Sequence, residues 1–450
     1  MKVKEKIARS KKKLSSVDDI TGQALRVDTT QTRHFSEKRF KYLLMDLFLD
    51  LISLQEAKNR ALSILPTPSS EIIPLLNAYG RVLSTPIASD IDIPGFDKTI
   101  VDGYAVVSSD TVGASESMPA MLSYAGTVPM GTKDIHTIQK GMCMYTPTGA
   151  KIPDGCDAVC MVEYCESLGD MVLIQQPVAG GENVLLQGED FAWNALVLHP
   201  GTMISEREMG VLAATGHAEV SVFRKPVIGI ISTGDEIVPV HETPSGSSIR
   251  DVNSYICAGA VTAWGGIPKQ YGIVIDESAA LRTILQQAMK ECDLILVSGG
   301  SSKGQRDVCA EVIADLGTVL VHGIALSPGK PTIIGKLDKI PIVGLPGHPA
   351  ATYIVLLALV RNMIYHLTGR DAHDAEETQN KKQATLAAPI HSARGREEYA
   401  RVIFDEKGLV RPVYGKSALL NTLISSFGYI CIPAEREGYH AGESVEVYPW

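Results

Sequence analysis

The chain has 450 residues, 45% of them apolar and 21% charged, which is material for several cored domains rather than one and excludes a disordered or fibrous protein. Its formal charge of −9 is uneven: residues 1–45 hold 8 Lys and 4 Arg against 5 acids, or +7, leaving −16 on a body that lacks the cationic footprint of a nucleic-acid binder. Eight cysteines without framework spacing exclude a disulfide scaffold and suit a reducing, cytoplasmic setting.

Residues 1–45 are rich in Lys, Ser and Thr with weak periodicity, the pattern of a basic mobile extension that buries too little apolar surface to order itself. No apolar run follows its basic start, so no signal peptide is expected. Leu47, Leu51, Leu54, Ala57, Ala61 and Leu65 recur at helical spacing until Pro66 and Pro68 end the helix. From Ile91 to about Gln187, short branched runs at 104–107, 158–162 and 171–174 alternate with turn clusters and predict a small β-domain. Two of its loops are dense in Pro, Gly and acids. One holds Pro94-Gly95-Phe96-Asp97 and Asp102-Gly103-Tyr104; the other holds Thr146-Pro147-Thr148-Gly149-Ala150 and Asp157-Ala158-Val159. Functional groups tend to stand on such loops, although a tight turn with Asp102 bonding its own backbone accounts for the same residues. Cys156, Cys160 and Cys165 match no zinc spacing and read as small buried apolar residues.

From 226 to 369 the rhythm is α/β. Strands at 227–231, 271–275, 294–297 and 342–345 alternate with helices near 252–264, 277–291, 308–316 and 349–367, which predicts a parallel sheet covered on both faces. The most apolar helical run, 350–360, is only 11 residues and too short to cross a membrane. Right-handed crossovers put every βα turn on one edge, and four of those turns are chemically loaded. They are Ser232-Thr233-Gly234-Asp235-Glu236; Asp276; Ser298-Gly299-Gly300-Ser301-Ser302-Lys303-Gly304-Gln305-Arg306-Asp307; and Leu345-Pro346-Gly347-His348-Pro349. Pro328-Gly329-Lys330-Pro331 precedes one more short strand at 332–334.

The turn at 298–307 follows a buried strand and leads into a helix, so its glycines let backbone N–H groups approach an oxyanion, and the helix start adds partial positive charge. Asp307 at the helix entry either caps the helix or holds a divalent cation against that anion. Carboxylates, glycines and a lysine gathered at the C-terminal edge of one sheet stand where α/β folds bind ligands. After His373 a polar linker, 374–383, leads to short strands at 399–404, 428–432 and 444–447, a small barrel or open sheet.

Taken in order, the Pro-Gly-Phe-Asp…Asp-Gly-Tyr-Ala loop, Thr-Gly-Ala…Asp-Ala-Val, Ser-Thr-Gly-Asp-Glu, Ser-Gly-Gly…Gly…Asp, Pro-Gly-Lys-Pro and Leu-Pro-Gly-X-Pro resemble the molybdopterin molybdenumtransferase family, the MoeA-like proteins that include the gephyrin E domain. The resemblance runs from about Leu47 to the end. It implies a multidomain α/β homodimer: an elongated dimerisation domain (46–90 with 188–222), an inserted β-domain (91–187), an αβα molybdopterin-binding, MogA-like domain (223–373) and a C-terminal β-barrel-like domain (374–450). It also implies Mg²⁺-dependent insertion of molybdate into adenylylated molybdopterin with release of AMP. Other cofactor-biosynthesis proteins are further partners; nucleic acid and membrane are not.

By motif position, Asp102, Thr148, Glu236, Asp276 and Asp307 fall on family catalytic positions, with Asp307 and Asp276 as metal ligands. Ser298, Gly299, Gly300, Ser302, Gly304, Lys330, Pro346, Pro349 and Arg396 fall on cofactor-binding ones. Asp102 would come from the β-domain, closing the cleft across the dimer. Glycine nests and lysine suit molybdate and a pyrophosphate link, both oxyanions, and a hard divalent ion suits anhydride hydrolysis. Arg401 belongs with Arg396 to a family arginine motif, although surface ion pairing accounts for both.

Four positions depart from the family pattern: Ser327 for a lysine, His348 for an asparagine, Ala351 for a serine, and Gln305 for an acid. They keep two alternatives open, a tungstate-preferring paralogue and a non-catalytic molybdopterin-binding scaffold.

Overall fold

The computed structural model describes residues 51–131, 137–299, 308–371 and 381–450; the architecture below is that of the unit Ile52–Trp450. The basic extension, most of the polar linker and the turn 300–307 lie outside the described residues.

Six strands form the central sheet: β1 (Val227–Thr233), β2 (Ile267–Val274), β3 (Leu294–Ser298), β4 (Thr318–His322), β5 (Ile333–Leu337) and β6 (Ile340–Leu345), in the order β2-β1-β3-β6-β5-β4. The first four in that order are parallel, as the α/β rhythm predicts. The last two extend the sheet antiparallel. Sequence reading places only a short strand at 332–334, at the start of β5, and misses β4 and the antiparallel pairing, and the cause is local. Only Asp338 and Lys339 join β5 to β6, too few for a crossover, and Asp338 adopts φ 51° in the resulting hairpin.

Alternate residues of the parallel strands face opposite layers, which is why the strands read as unbroken apolar runs. Ile228, Ile230, Leu294, Leu296, Val343 and Leu345 pack with Cys257 and Val261 of α1 (Asn253–Ala263) and with the long helix that starts at Pro349. Ile231, Ile295, Val297 and Ile342 pack with Leu281 and Leu285 of α2 (Ser278–Ala288) and with Val312 and Ile313 of α3 (Val308–Leu316). Each such side chain contributes roughly 1.5–3 kcal/mol by leaving water.

The apolar run taken to end before Arg361 is part of a continuous 19-residue helix, Pro349–Leu367. Arg361 does not end it, because that arginine is itself only 8% exposed. Among the described residues this helix alone is long and apolar enough to cross a membrane, and 83% of its apolar window is buried inside the protein as core. The helix Leu54–Ser63, capped by Ser53 accepting from the Glu56 N–H, packs Leu54, Ala57 and Ala61 into the same core.

Before the β-domain, Ser70–Pro74 pairs with Glu219–Phe223, and Ile87–Ala88 with Leu196–Leu198. The chain therefore leaves this layer after Ala88 and returns at Leu196. Between them six strands make one sheet, in the order Ala158–Met161, Gly103–Val106, Met142–Thr146, Ala120–Thr127, Met171–Ile174, Cys165–Leu168. Cys143 and Cys160 are buried in its core, and all eight cysteines are free thiols.

At the C-terminus, Leu326–Ser327, Glu397–Phe404, Gly428–Ile432, Ser444–Pro449 and Lys382–Thr385 line up in one sheet. It meets the central domain where Trp450 lies 5.4 Å by ring centroid from Tyr353 of the long helix, and within the sheet Tyr399 stacks on Tyr429 at 5.0 Å.

Candidate functional site

The chain leaves β1 toward β2 on one side, whereas the path from β3 runs to β6 on the other. β1 and β3 are neighbours, so their C-terminal ends bound the crevice where open α/β sheets take ligands. Register puts the four loaded turns on that rim: Thr233 stands opposite Val274, Ser232 opposite Ser298, and Ser298 opposite Leu345. Gly299 opens the turn after β3 at φ +103°, and a Cβ there would lie 2.0 Å from the Thr233 carbonyl oxygen. No other residue type fits this approach of the β3 turn to the end of β1.

Asp276 follows β2 by two residues, and its N–H donates to Asp235 Oδ1 at 3.1 Å. Asp235, part of the Ser-Thr-Gly-Asp-Glu motif but given no role there, is thus the partner of Asp276. Desolvation, then the negative charges of Asp235 and Glu236, push the Asp276 carboxyl above the ordinary carboxylate value. Asp235, Glu236 and Asp276 therefore converge as the rim geometry requires. Among the described residues no group of three or more acids, His or Cys is arranged to hold a metal ion. Gly300, Ser302, Gly304 and Asp307 lie outside the described residues.

The Leu345-Pro346-Gly347-His348-Pro349 turn is held at several points. Thr352 Oγ1 donates to the Pro346 carbonyl at 2.5 Å, and Asn253 Nδ2 donates to the Gly347 carbonyl at 2.9 Å. His348 Nδ1 bonds Ser417 Oγ at 2.8 Å, and the Ala350 N–H donates to Ser417 O at 3.1 Å, tying the turn to the C-terminal domain. Pro349 starts the long helix at its first position, where the missing N–H costs nothing.

Lys330 is exposed, and its carbonyl accepts from the Ile324 N–H at 3.0 Å. Next to it Gly329, at φ +136°, lies against the long helix where a Cβ would come 2.8 Å from Val355 Cγ2. The parallel pairing of Leu326 with Glu397 brings exposed Arg396 to the segment that leads into Lys330. Arg401 is employed differently: it donates to Thr422 Oγ1 and to the Gly415 carbonyl, both at 2.8 Å, a structural brace that leaves Arg396 as the cation facing outward. Beside the rim a cavity of about 470 Å³ is lined by Ile237, Val240, His241, Ser254, Tyr255 and Gln270.

In the β-domain, Asp102 and Thr148 come together across 46 residues. The Thr148 N–H and hydroxyl donate to Asp102 Oδ1 at 2.7 and 2.9 Å. The N–H first, and the hydroxyl second, hold the carboxyl below the ordinary value. Asp102 thus bonds the second loop rather than its own backbone. Its position is set by Gly103, where a Cβ would lie 2.2 Å from the Cys160 carbonyl. Among the described residues no hydrogen bond or ion pair links Asp102 or Thr148 to the acids of the sheet rim. Within one chain these are two separate groups.

These features define a multidomain α/β protein with acids and a glycine turn at the switch point of its central sheet. Three family models match the chain in sequence: the MoeA N-terminal region (domain I and II) over residues 52–216, a probable molybdopterin binding domain over 229–366, and the MoeA C-terminal region (domain IV) over 383–450. A putative molybdopterin biosynthesis protein of Methanocaldococcus jannaschii is 33% identical over 385 residues, covering 84% of this chain and 91% of that protein. Molybdopterin molybdenumtransferase 2 of Mycobacterium tuberculosis is 31% identical over 84% of this chain and 94% of its own. The crystal structure of the molybdopterin biosynthesis MoeA protein from Pyrococcus horikoshii superposes with TM-score 0.78 at 34% identity, over 89% of this chain and 99% of that one. The chain belongs to the MoeA family.

Proposed function

We propose that the protein is a molybdopterin molybdenumtransferase, inserting molybdate into adenylylated molybdopterin with release of AMP in a Mg²⁺-dependent step. Membership of the family, with relatives named molybdopterin molybdenumtransferase in several bacteria, supports a role in molybdenum cofactor biosynthesis and the pterin as substrate. The observation that carries the reading is the convergence of Asp235, Glu236 and Asp276 on the rim that also holds the Gly299 turn.

The donor chemistry fits Mg²⁺. That ion takes one or two carboxylates plus substrate phosphate oxygens in preference to an all-protein cage, and the crowded negative charge that raises Asp276 is what a cation relieves. Asp276 would hold the ion with Asp307, and bound there it would draw charge from the anhydride phosphates. The turn opens at Ser298 and Gly299, and by sequence its glycine- and serine-rich continuation, with Gly300, Ser302 and Gly304, would suit backbone N–H contacts to a phosphate or to molybdate. Lys330 and Arg396 add positive charge for the oxyanions, and Pro346 and Pro349 stiffen the facing turn. Glu236, exposed on the rim, takes a proton or orients water at the phosphate.

Asp102, kept ionised and aimed by Thr148, bonds none of the rim acids among the described residues, which supports a homodimer in which the β-domain of one subunit serves the crevice of the other. A cytoplasmic location belongs to the same proposal. Ser327 in place of a lysine removes one cation near Lys330 and favours, as a second reading, a preference for tungstate. One assay separates the readings: AMP released from adenylylated molybdopterin with Mg²⁺ and either oxyanion. Release with molybdate supports the proposal, faster release with tungstate the second reading, and no release from correctly folded protein contradicts both and leaves a binding scaffold.

A further inference from the structure

We infer that Asn253 is a positioning residue that locks the end of β3, at Ser298–Gly299, and the turn after β6 in fixed register. Asn253 is the first residue of α1, one past the N-cap Val252, whose side chain has no oxygen with which to cap the helix. Here the capping task has passed to Asp251, whose Oδ1 accepts from the Ser254 N–H at 3.2 Å. Asn253 Nδ2 reaches across instead, donating to Ser298 Oγ at 2.7 Å and to the Gly347 carbonyl at 2.9 Å. A carbonyl only accepts, so the atom facing Gly347 is the nitrogen and the orientation of the amide is settled. Both of its hydrogens are then committed.

The side-chain oxygen is the other half of the observation. Oδ1 of Asn253, a residue 9% exposed, is buried without a hydrogen-bond partner among the described residues. An unpaired buried acceptor is destabilising, and it persists where the group's other contacts are needed. What those contacts achieve is specific. Ser298 ends β3 and precedes Gly299, and Gly347 is the centre of the Pro346–Pro349 turn; one planar amide spans both. Below the turn the two strands are joined by the Ser298–Leu345 pairing, but the side-chain ties of Thr352 to Pro346 and of Ser417 to His348 do not touch β3, so Asn253 is the side chain seen to carry that register from the sheet into the turn.

This inference rests on the proposed reaction for its kinetic consequence and on hydrogen exchange for its structural one. In Asn253→Ala, amide exchange quickens roughly tenfold or more at both Ser298–Gly299 and Gly347–His348, and kcat for AMP release falls roughly 10- to 100-fold while KM changes less than about threefold. Asn253→Asp keeps the shape but donates only when protonated. Its kcat relative to wild type therefore recovers as pH falls through that carboxyl's pKa, whereas the alanine variant shows no such recovery. Unchanged exchange at either turn, an unchanged kcat, or equal pH profiles for the two variants overturns the inference. Should wild-type protein release no AMP, the proposed function fails, and the exchange comparison still decides whether Asn253 couples the turns.

Discussion

Asp276 and Asp102 are held on opposite sides of the ordinary carboxylate value, and their surroundings say why. Asp276 sits by two other acids and is partly desolvated, so its proton is held more tightly in the folded chain than in the unfolded one. The native state then binds more protons just above the ordinary value of 3.8, and stability falls as pH rises through that range. Asp276→Asn should therefore raise the melting temperature of metal-free protein at neutral pH, with the gain shrinking below pH 3.8, as a pH series of thermal melts would register. Asp102 is the reverse case: its contribution is present above 3.8 and lost as pH falls. Thr148→Val removes the hydroxyl donor but keeps the N–H, so the acid limb of the AMP-release profile should move upward in pH, and an unmoved limb would deny Asp102 an ionised role. Motif position brought out Asp102, Thr148 and Asp276 because chemistry confines their residue types. Asp235 lay in a loaded turn without an assigned role and Asn253 was missed, because both roles come from which strand end lies next to which, and nothing local in Asp251-Val252-Asn253 distinguishes a crossbar from a cap.

The strands and helices of the central domain were legible wherever a run was buried on both faces, because such runs carry their own length and boundaries. The antiparallel β4 and β5 were harder to see. β4 has exposed and half-buried residues, and a short strand beside a hairpin has no period of its own. The β3 turn is the element on which the site depends most. Gly299→Ala sets a Cβ against the Thr233 carbonyl at a φ that side chains avoid. The backbone strain alone costs about 1–3 kcal/mol, and the turn must shift besides. Chemical denaturation should show the loss of stability, and AMP release should fall further than stability alone explains. A variant of wild-type stability and rate would mean that the close approach of the two strand ends is unimportant.

At the scale of the whole molecule the proposal sets one group on the sheet rim and another on an inserted β-domain, and among the described residues no hydrogen bond or ion pair joins Asp102 to Asp276. The account predicts a dimer by sedimentation. It further predicts that an Asp102→Ala subunit mixed with an Asp276→Ala subunit regains part of the activity that each lacks alone, since one crevice in the mixed dimer is intact. The alternation of β- and α/β-patterned stretches made the layers visible in the sequence; the proposed completion of a crevice by a second subunit would be a property of assembly that no local pattern encodes. The most direct test of the central claim, that acids at the switch-point rim support Mg²⁺-dependent removal of AMP, is the Mg²⁺ dependence of AMP release in wild type, Asp276→Asn and Asp307→Ala, with melting temperature measured alongside. The account predicts that both variants remain folded and lose roughly 100-fold or more of the rate. Asp307→Ala and Asp276→Asn releasing AMP at the wild-type rate, with the same response to Mg²⁺, would contradict it.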